Sequence, residues 1–291
     1  MSRPITSAVS VLVIAAALTA CSTDAPTSKV GTHRFPRLGS QFVALGDSYA
    51  SEGSNSAEML GPEECGRTAD NYPHQLADAI ELHLNDQSCS GGTADDLFLD
   101  RSKGIPAQFD ALGRRTQLVT LTIGGNDLGF GPIWDCSGRA DESDTDSPKP
   151  CRDEYGDDLD NAKKKVPDEL DSVYGEIKRR APNARVLATG YYPMLVTGQK
   201  CEANASMSDD DIAWVYEATV ALNDVVKQAA ERNGATYVMP DEAEAHTACA
   251  DVDQRWTDLK GEETDSAPLH PTHTGQQELA TELADTFRHP A

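Results

Sequence analysis

Short apolar runs recur along the chain, and they constrain its fold more than any other feature. Continuous runs cover residues 42–45, 118–123, 185–189 and 235–239, and a weaker one covers residues 82–88. Runs of this length without polar alternation are typical of strands buried on both faces of a parallel sheet. We therefore predict a parallel sheet built from these runs.

Segments with apolar residues at helical spacing separate the runs. They cover residues 72–83, 159–180, 209–233 and 274–288. Strands that alternate with helices imply right-handed crossovers and a three-layer α/β/α sandwich. Residues 129–150 are rich in Asp, Ser, Gly and Pro, and we expect them to form an irregular insertion.

The first twenty residues have the pattern of an export signal. One positive charge at Arg3 precedes an uncharged stretch over residues 5–20. This stretch is shorter than the roughly 20 apolar residues that a membrane-spanning helix needs, and small residues precede the expected cleavage point. The sequence therefore predicts a signal peptide over residues 1–20, a tether over residues 21–40 and a folded domain over residues 41–291.

The cleavage point itself resembles the lipobox of bacterial lipoproteins. Residues 18–21 are Leu-Thr-Ala-Cys, and in such proteins the cysteine thiol takes a diacylglyceryl group, the signal is removed at the bond before that cysteine, and the new amino terminus is acylated. The resemblance implies that Cys21 carries lipid and holds the protein at the outer face of the cell membrane. The alternative is a secreted soluble protein with a chance cysteine at this position.

Six cysteines remain when Cys21 is set aside from the seven in the chain. An even number in an exported chain indicates disulfides, although six cysteines allow 15 pairings. The simplest set is sequential, namely Cys65–Cys89, Cys136–Cys151 and Cys201–Cys249. None of these pairs has the CxxC spacing of a zinc site, and we expect neither a metal nor an organic cofactor.

Charge excludes some partners. The chain has 25 Lys and Arg residues against 48 Asp and Glu residues, a net charge of −23. Such a chain is repelled by nucleic acids and by anionic membrane surfaces. We therefore expect no nucleic-acid partner, and membrane contact through the lipid anchor alone.

Ligands of open α/β sheets bind beyond the carboxyl ends of the strands, and four loops of the chain carry suitable chemistry. Residues 46–48 are Gly-Asp-Ser, residues 89–92 are Cys-Ser-Gly-Gly, residues 124–127 are Gly-Gly-Asn-Asp, and residues 269–273 are Leu-His-Pro-Thr-His. Serine and histidine can supply an activated nucleophile, and amide groups can bind the anion that forms in acyl transfer.

These four blocks, in this order, resemble those of the GDSL or SGNH hydrolases. The resemblance implies the SGNH hydrolase fold with a flavodoxin-like sheet, and an esterase or lipase activity. It assigns Ser48 as nucleophile, His270 as base, and Ser48, Gly91 and Asn126 to the oxyanion hole. It is closest to a branch of actinobacterial secreted lipases and phospholipases with three sequential disulfides, which implies the sequential pairing of the six cysteines.

Alternatives stay open at several of these positions. Ser48 could instead cap the helix that follows, because serine is a preferred N-cap residue. His273 could replace His270 as the base. Many family members have an aspartate three residues before the histidine, but Ala267 stands there. We expect a Ser-His dyad oriented by a backbone carbonyl, that of Ala267, with a triad through Asp265 as the alternative.

Together these features predict a monomeric, extracytoplasmic serine esterase that acts on a small-molecule or lipid ester. A second hypothesis is an O-deacylase of cell-envelope glycans that uses the same groups. A third is a non-catalytic surface lipoprotein that keeps the fold.

Overall fold

A parallel five-stranded sheet forms the centre of the domain. The structure is a computed structural model that describes residues 41–138 and 150–289. The strands are β1 (Phe42–Gly46), β2 (Leu84–Asp86), β3 (Leu118–Thr122), β4 (Arg185–Thr189) and β5 (Thr236–Val238). Their order is β2-β1-β3-β4-β5, which is the flavodoxin-like order. The prediction of such a sheet is confirmed.

Helices cover both faces of this sheet. They are α1 (Ser48–Ser51), α2 (Tyr72–Ile80), α3 (Ala94–Phe98), α4 (Phe130–Gly138), α5 (Cys151–Arg180), α6 (Asp209–Arg232) and α7 (His273–Arg288). A short antiparallel pair, β6 (Thr257–Asp258) and β7 (His270–Pro271), precedes α7.

Alternate residues of β1 pack against helices on opposite faces of the sheet. Phe42 and Ala44 pack in one apolar cluster with residues of α2 and α7. Val43 and Leu45 pack in another with residues of α3, α4, α5 and α6. All of β1 is buried, because successive side chains of a strand point to opposite faces and both faces are covered. The three-layer α/β/α prediction is confirmed.

The largest differences from the predicted bounds concern α5 and α4. Helix α5 begins at Cys151 rather than residue 159, and Asp153 and Glu154 lie in its first turn, where negative charge is favourable. Helix α4 occupies residues expected to be irregular, because Ile133 and Trp134 bury their side chains in the core. Residues 139–149 of that expected insertion lie outside the described residues.

The N-terminal predictions also fall outside the described residues. These are the signal peptide over residues 1–20, the lipidated Cys21 and the tether over residues 21–40. Among the helices that the structure describes, none is long and apolar enough to cross a membrane.

Three disulfides join the same pairs as predicted. Cys65–Cys89 spans 24 residues of sequence, Cys136–Cys151 spans 15, and Cys201–Cys249 spans 48. The second joins the end of α4 to the first residue of α5. The first lies beside the loop that carries Gly91, and Ile105 packs against it.

Removal of the bond between Cys136 and Cys151 should destabilise the domain. In the chain-entropy model a disulfide that closes a loop of about 15 residues contributes roughly 3 kcal/mol. We expect the double Cys136→Ser, Cys151→Ser variant to lose about that much free energy of unfolding in a urea titration. Thiol titration of the unreduced, denatured parent protein is the control, and six reactive thiols would contradict the framework.

Candidate active site

The turn after β1 presents Ser48 at the carboxyl end of the sheet. Gly46 has φ +146°, and a Cβ there would lie 2.3 Å from the carbonyl oxygen of Thr122, so only glycine fits. The buried side chain of Gln108 accepts from the Gly46 N–H (2.8 Å) and donates to the Gly46 carbonyl (2.9 Å). These contacts hold the backbone immediately before Ser48.

Asp47, not Ser48, is the N-cap of α1. Its Oδ1 accepts a hydrogen bond from the Tyr49 N–H at 3.0 Å. The interpretation of Ser48 as a helix cap is therefore wrong, because Asp47 already fills that position. The Ser48 hydroxyl has no hydrogen-bond partner within the described part of the chain and is left free for other chemistry.

The loop after β2 carries Gly91 with φ +69°, a left-handed conformation that favours glycine. Its neighbours are fixed by the backbone: the Cys89 N–H donates to the Gly46 carbonyl (3.0 Å), and the Ser90 N–H donates to the Cys65 carbonyl (3.0 Å). Among the described residues, no acceptor pairs with the Gly91 N–H itself.

Asn126 connects the loop after β3 to the Gly91 loop. Its side-chain amide donates to the Gly92 carbonyl at 2.8 Å, and the side chain is otherwise exposed. An amide has two N–H donors, so one remains available. Asp127 orders the loop by accepting from the Ala94 N–H at 2.9 Å.

His270 lies in β7 with its ring oriented by the backbone. The Nδ1 atom is 2.7 Å from the Pro268 carbonyl oxygen, which requires a proton on Nδ1 and leaves Nε2 as the acceptor. The Ala267 carbonyl instead accepts from the backbone N–H of His270 at 3.3 Å. The prediction that a backbone carbonyl orients the ring agrees with this contact, but the prediction of the Ala267 carbonyl is wrong. Leu269 has φ +65°, and the ring faces the carbonyl of Pro268 instead.

The other candidates for the base and its partner are directed elsewhere. Asp265 accepts hydrogen bonds from the N–H and hydroxyl of Ser56, so the structure does not form the Asp265 triad. His273 is half exposed and lies 3.3 Å from a carboxylate oxygen of Asp70.

Helix α1 contacts β7, which brings Ser48 and His270 to the same end of the sheet. The rings of Tyr49 and His270 are 5.4 Å apart. No hydrogen bond joins the Ser48 hydroxyl to the His270 ring in this structure, although both residues are described. Such bonds are often long without substrate and tighten when substrate binds.

Two residues at this site were not found by sequence reasoning. Glu52 places a carboxylate oxygen 3.8 Å from Nε2 of His270. The Tyr191 hydroxyl donates to Asp47 Oδ2 and accepts from the Gly125 N–H at 3.0 Å. Tyr191 lies two residues after the end of β4 at Thr189, so a search of the loops that follow the strands could have indicated it.

Burial raises the pKa of Asp47 from 3.8 to about 7, against the effect of the hydrogen bonds from Tyr191 and from the Tyr49 N–H. Because this pKa is above that of the unfolded chain, the folded protein holds a proton that the unfolded chain has released between about pH 4 and pH 7. The free energy of unfolding contributed by this group therefore falls as pH rises through that interval, and is constant above it.

We expect Asp47→Asn to remove this dependence. At one pKa unit per about 1.4 kcal/mol, the stability of the variant relative to the parent should rise by up to about 4 kcal/mol between pH 4 and pH 8. Urea unfolding of both proteins at the two pH values measures the change. A relative stability that is the same at both would contradict the raised pKa.

The described residues contain no group of three or more His, Cys, Asp or Glu side chains able to hold a metal ion. The site offers instead a free hydroxyl, an oriented imidazole and amide donors on neighbouring loops. Those groups are sufficient for acyl transfer through a covalent intermediate.

Known proteins are similar to this chain in both sequence and fold. The sequence model of the GDSL-like Lipase/Acylhydrolase family matches residues 44–278. Lipase 2 of Streptomyces coelicolor is 32% identical over 277 residues, which are 91% of each chain. Lipase 1 of the same species is 30% identical over 203 residues, which are 69% of this chain and 70% of that protein.

Two solved structures are similar. The extracellular lipase of Streptomyces rimosus has a TM-score of 0.66 and 25% identity, over 85% of this chain and 97% of that chain. Phospholipase A1 of Streptomyces albidoflavus has a TM-score of 0.64 and 28% identity, over 87% of this chain and all of that chain. With the fold and the four blocks, these similarities show that the chain belongs to the GDSL-like lipase/acylhydrolase family and is a carboxylic ester hydrolase.

Proposed function

We propose that the protein is an extracytoplasmic serine esterase that cleaves lipid esters through an acyl-Ser48 intermediate. The observation that carries this proposal is the 2.7 Å contact between Nδ1 of His270 and the Pro268 carbonyl. It fixes the tautomer in which Nε2 can take a proton, at the end of the sheet where Ser48 has a free hydroxyl.

In the first half of the reaction, Ser48 Oγ attacks the ester carbonyl carbon while Nε2 of His270 takes the hydroxyl proton. The carbonyl oxygen becomes an anion, which the N–H groups of Ser48 and Gly91 and the free amide hydrogen of Asn126 bind. The Glu52 carboxylate lies close enough to Nε2 to stabilise the imidazolium. When the bond to the leaving oxygen breaks, His270 returns the proton to that oxygen and the alcohol departs.

In the second half, His270 removes a proton from a water molecule that attacks the acyl-enzyme carbonyl. The same three donors bind the second oxyanion. Cleavage of the acyl bond to Ser48 Oγ then releases the carboxylic acid, and the serine regains its proton from the imidazolium. The enzyme returns to its starting state, and no cofactor takes part.

Lipid esters are the proposed substrate class. Relatives similar over most of their length are named lipases, and one similar structure is a phospholipase A1. A comparison of the lipids and envelope glycans of cells with and without active protein separates this class from acylated glycans. Accumulation of acylated glycans alone, with unchanged lipids, would favour the deacylase.

Location is the second part of the proposal. We infer a signal peptide over residues 1–20, a lipidated Cys21, and a tether over residues 21–40 that joins the anchor to a monomeric hydrolase domain over residues 41–291. The three disulfides are consistent with export to an oxidising compartment. Metabolic labelling with an alkyne fatty acid should mark the parent protein and not Cys21→Ala, and the variant should leave the membrane fraction.

A fluorophosphonate probe tests the proposed chemistry. Such probes react with an activated serine, so peptide mass spectrometry should find the label on Ser48. Prior reaction with a slowly hydrolysed ester should protect the site. A folded protein that takes no label, or that is labelled on another serine, would overturn the assignment and favour a non-catalytic role.

A further inference from the structure

Arg101 contacts the loop that carries Gly91, and the mechanism above does not use it. Its guanidinium donates from one nitrogen to the Ser90 carbonyl and to Cys89 Sγ, the latter at 3.4 Å. The other terminal nitrogen would lie 2.9 Å from a Cβ placed on Gly91. The guanidinium therefore lies directly over the proposed oxyanion-hole glycine.

The hydrogen bond from Arg101 to the Ser90 carbonyl acts on the peptide group that also contains the Gly91 N–H. The carbonyl of Ser90 and the N–H of Gly91 belong to one planar, trans peptide, in which the two groups point in opposite directions. A donor that holds the carbonyl on one side therefore fixes the N–H on the other side. A charged donor also polarises the peptide and strengthens the N–H as a donor.

Gly91 needs this restraint more than another residue would. Glycine populates positive and negative φ about equally, so its own backbone does not hold φ at +69°. The N–H of Ser90 is held by the Cys65 carbonyl, but the next peptide has only the Arg101 contact at its carbonyl among the described residues. Without that contact the peptide between Ser90 and Gly91 could rotate.

The surroundings of Arg101 keep it available for this role. Its backbone N–H donates to the Ile105 carbonyl at 3.0 Å, and Ile105 packs on the disulfide of Cys65 and Cys89. No carboxylate forms an ion pair with Arg101 within residues 41–138 and 150–289, although the chain has a net charge of −23. Its side chain is exposed, so a change there leaves the core intact.

We propose that Arg101 is a positioning residue that orients the Gly91 N–H toward the oxyanion by holding the Ser90 carbonyl. This inference rests on the proposed function, because it assumes that the Gly91 N–H binds the oxyanion. Loss of one oxyanion donor typically lowers kcat by about 10²- to 10³-fold. Loss of its orientation should cost part of that, about 10- to 100-fold.

The test compares Arg101→Met, which removes the donors, with Arg101→Lys, which keeps the charge and a donor. We expect kcat for a neutral p-nitrophenyl ester to fall about 10- to 100-fold in the methionine variant with KM nearly unchanged, and lysine to restore part of it. Affinity for a trifluoromethyl ketone, which forms an oxyanion on Ser48, should fall by a similar factor. Affinity for the matching alcohol, which forms none, should stay constant.

Arg67→Met is the matched control. Arg67 donates to the Ser88 carbonyl at 2.8 Å, but the N–H of that peptide, on Cys89, donates to the Gly46 carbonyl and not toward substrate. This variant should lose thermal stability, because Arg67 is partly buried, while the kcat of the folded protein stays within about threefold.

Three results would overturn the proposal. They are an equal kcat in the two methionine variants, an unchanged affinity of Arg101→Met for the ketone, and a loss confined to KM for anionic esters. The last would mean that Arg101 binds a substrate anion. The fluorophosphonate label on Ser48 distinguishes this proposal from the proposed function. If Ser48 is labelled but Arg101→Met keeps the parent kcat, only the role of Arg101 is refuted.

Discussion

Ser48→Ala should lower kcat for a short-chain p-nitrophenyl ester by at least about 10⁴-fold, as expected when the nucleophile of an acyl-enzyme mechanism is removed. The residual rate would come from binding and from the oxyanion donors alone. Stability should hardly change, because the hydroxyl has no partner among the described residues and Asp47 supplies the helix cap. Initial rates and thermal unfolding measure the two quantities.

Ser51 gives a control in the same short helix. Its hydroxyl is fully buried and has no hydrogen-bond partner among the residues that the structure describes, so Ser51→Ala should leave kcat unchanged and should not lower stability. If Ser48→Ala retained the parent rate, the acyl-Ser48 mechanism would be refuted. If both variants lost activity equally, disruption of the helix would be the cause.

His270→Ala should lower kcat by about 10⁴-fold, because neither the serine nor the attacking water then has a base. Asp265→Asn tests whether a carboxylate assists His270. In a Ser-His-Asp triad that change costs about 10⁴-fold, but here Asp265 bonds to Ser56 and the ring bonds to Pro268. We expect its kcat to stay within about threefold of the parent.

His273→Ala completes this set, since its ring contacts Asp70 rather than the serine helix. It should keep most of the activity. A large loss of kcat in Asp265→Asn would support the triad through Asp265. A large loss of kcat in His273→Ala, together with an active His270→Ala, would mean that His273 and not His270 is the base. Steady-state rates at several pH values, measured on folded variants, separate these outcomes.

The sequence predicted the elements whose pattern is local. The run over residues 118–123 forms β3 because its apolar and β-branched residues favour a strand between two covered faces, and every residue of β3 is buried. The start of α5 was missed because residues 151–158 bury little apolar surface, and that turn is held by tertiary contacts such as the bond from the Cys151 N–H to Asp211. Local periodicity does not reveal such a contact.

The same division applies to the site. Ser48, Gly91, Asn126 and His270 could be selected because each lies in a short motif after a strand or before a helix. The residues that contact them could not be predicted, because those contacts depend on which loops, distant in sequence, lie together in the fold. Tyr191 reaches Asp47 from 144 positions away. The Pro268 carbonyl contacts the His270 ring in place of the Ala267 carbonyl, and the backbone between them is left-handed at Leu269. A leucine does not indicate a left-handed conformation, so the sequence could not predict this contact.

The main-chain oxygen that holds His270 has a consequence for how this enzyme can change. A carboxylate in that place could be lost by a single base change and would be neutralised in acid, whereas a peptide oxygen survives every side-chain replacement and does not titrate in ordinary media. Mutations can therefore change the orientation of the His270 ring chiefly by changing the backbone conformation around Pro268. In an acidic environment the carbonyl keeps its hydrogen bond to Nδ1, because that nitrogen carries its proton in both the neutral and the charged ring.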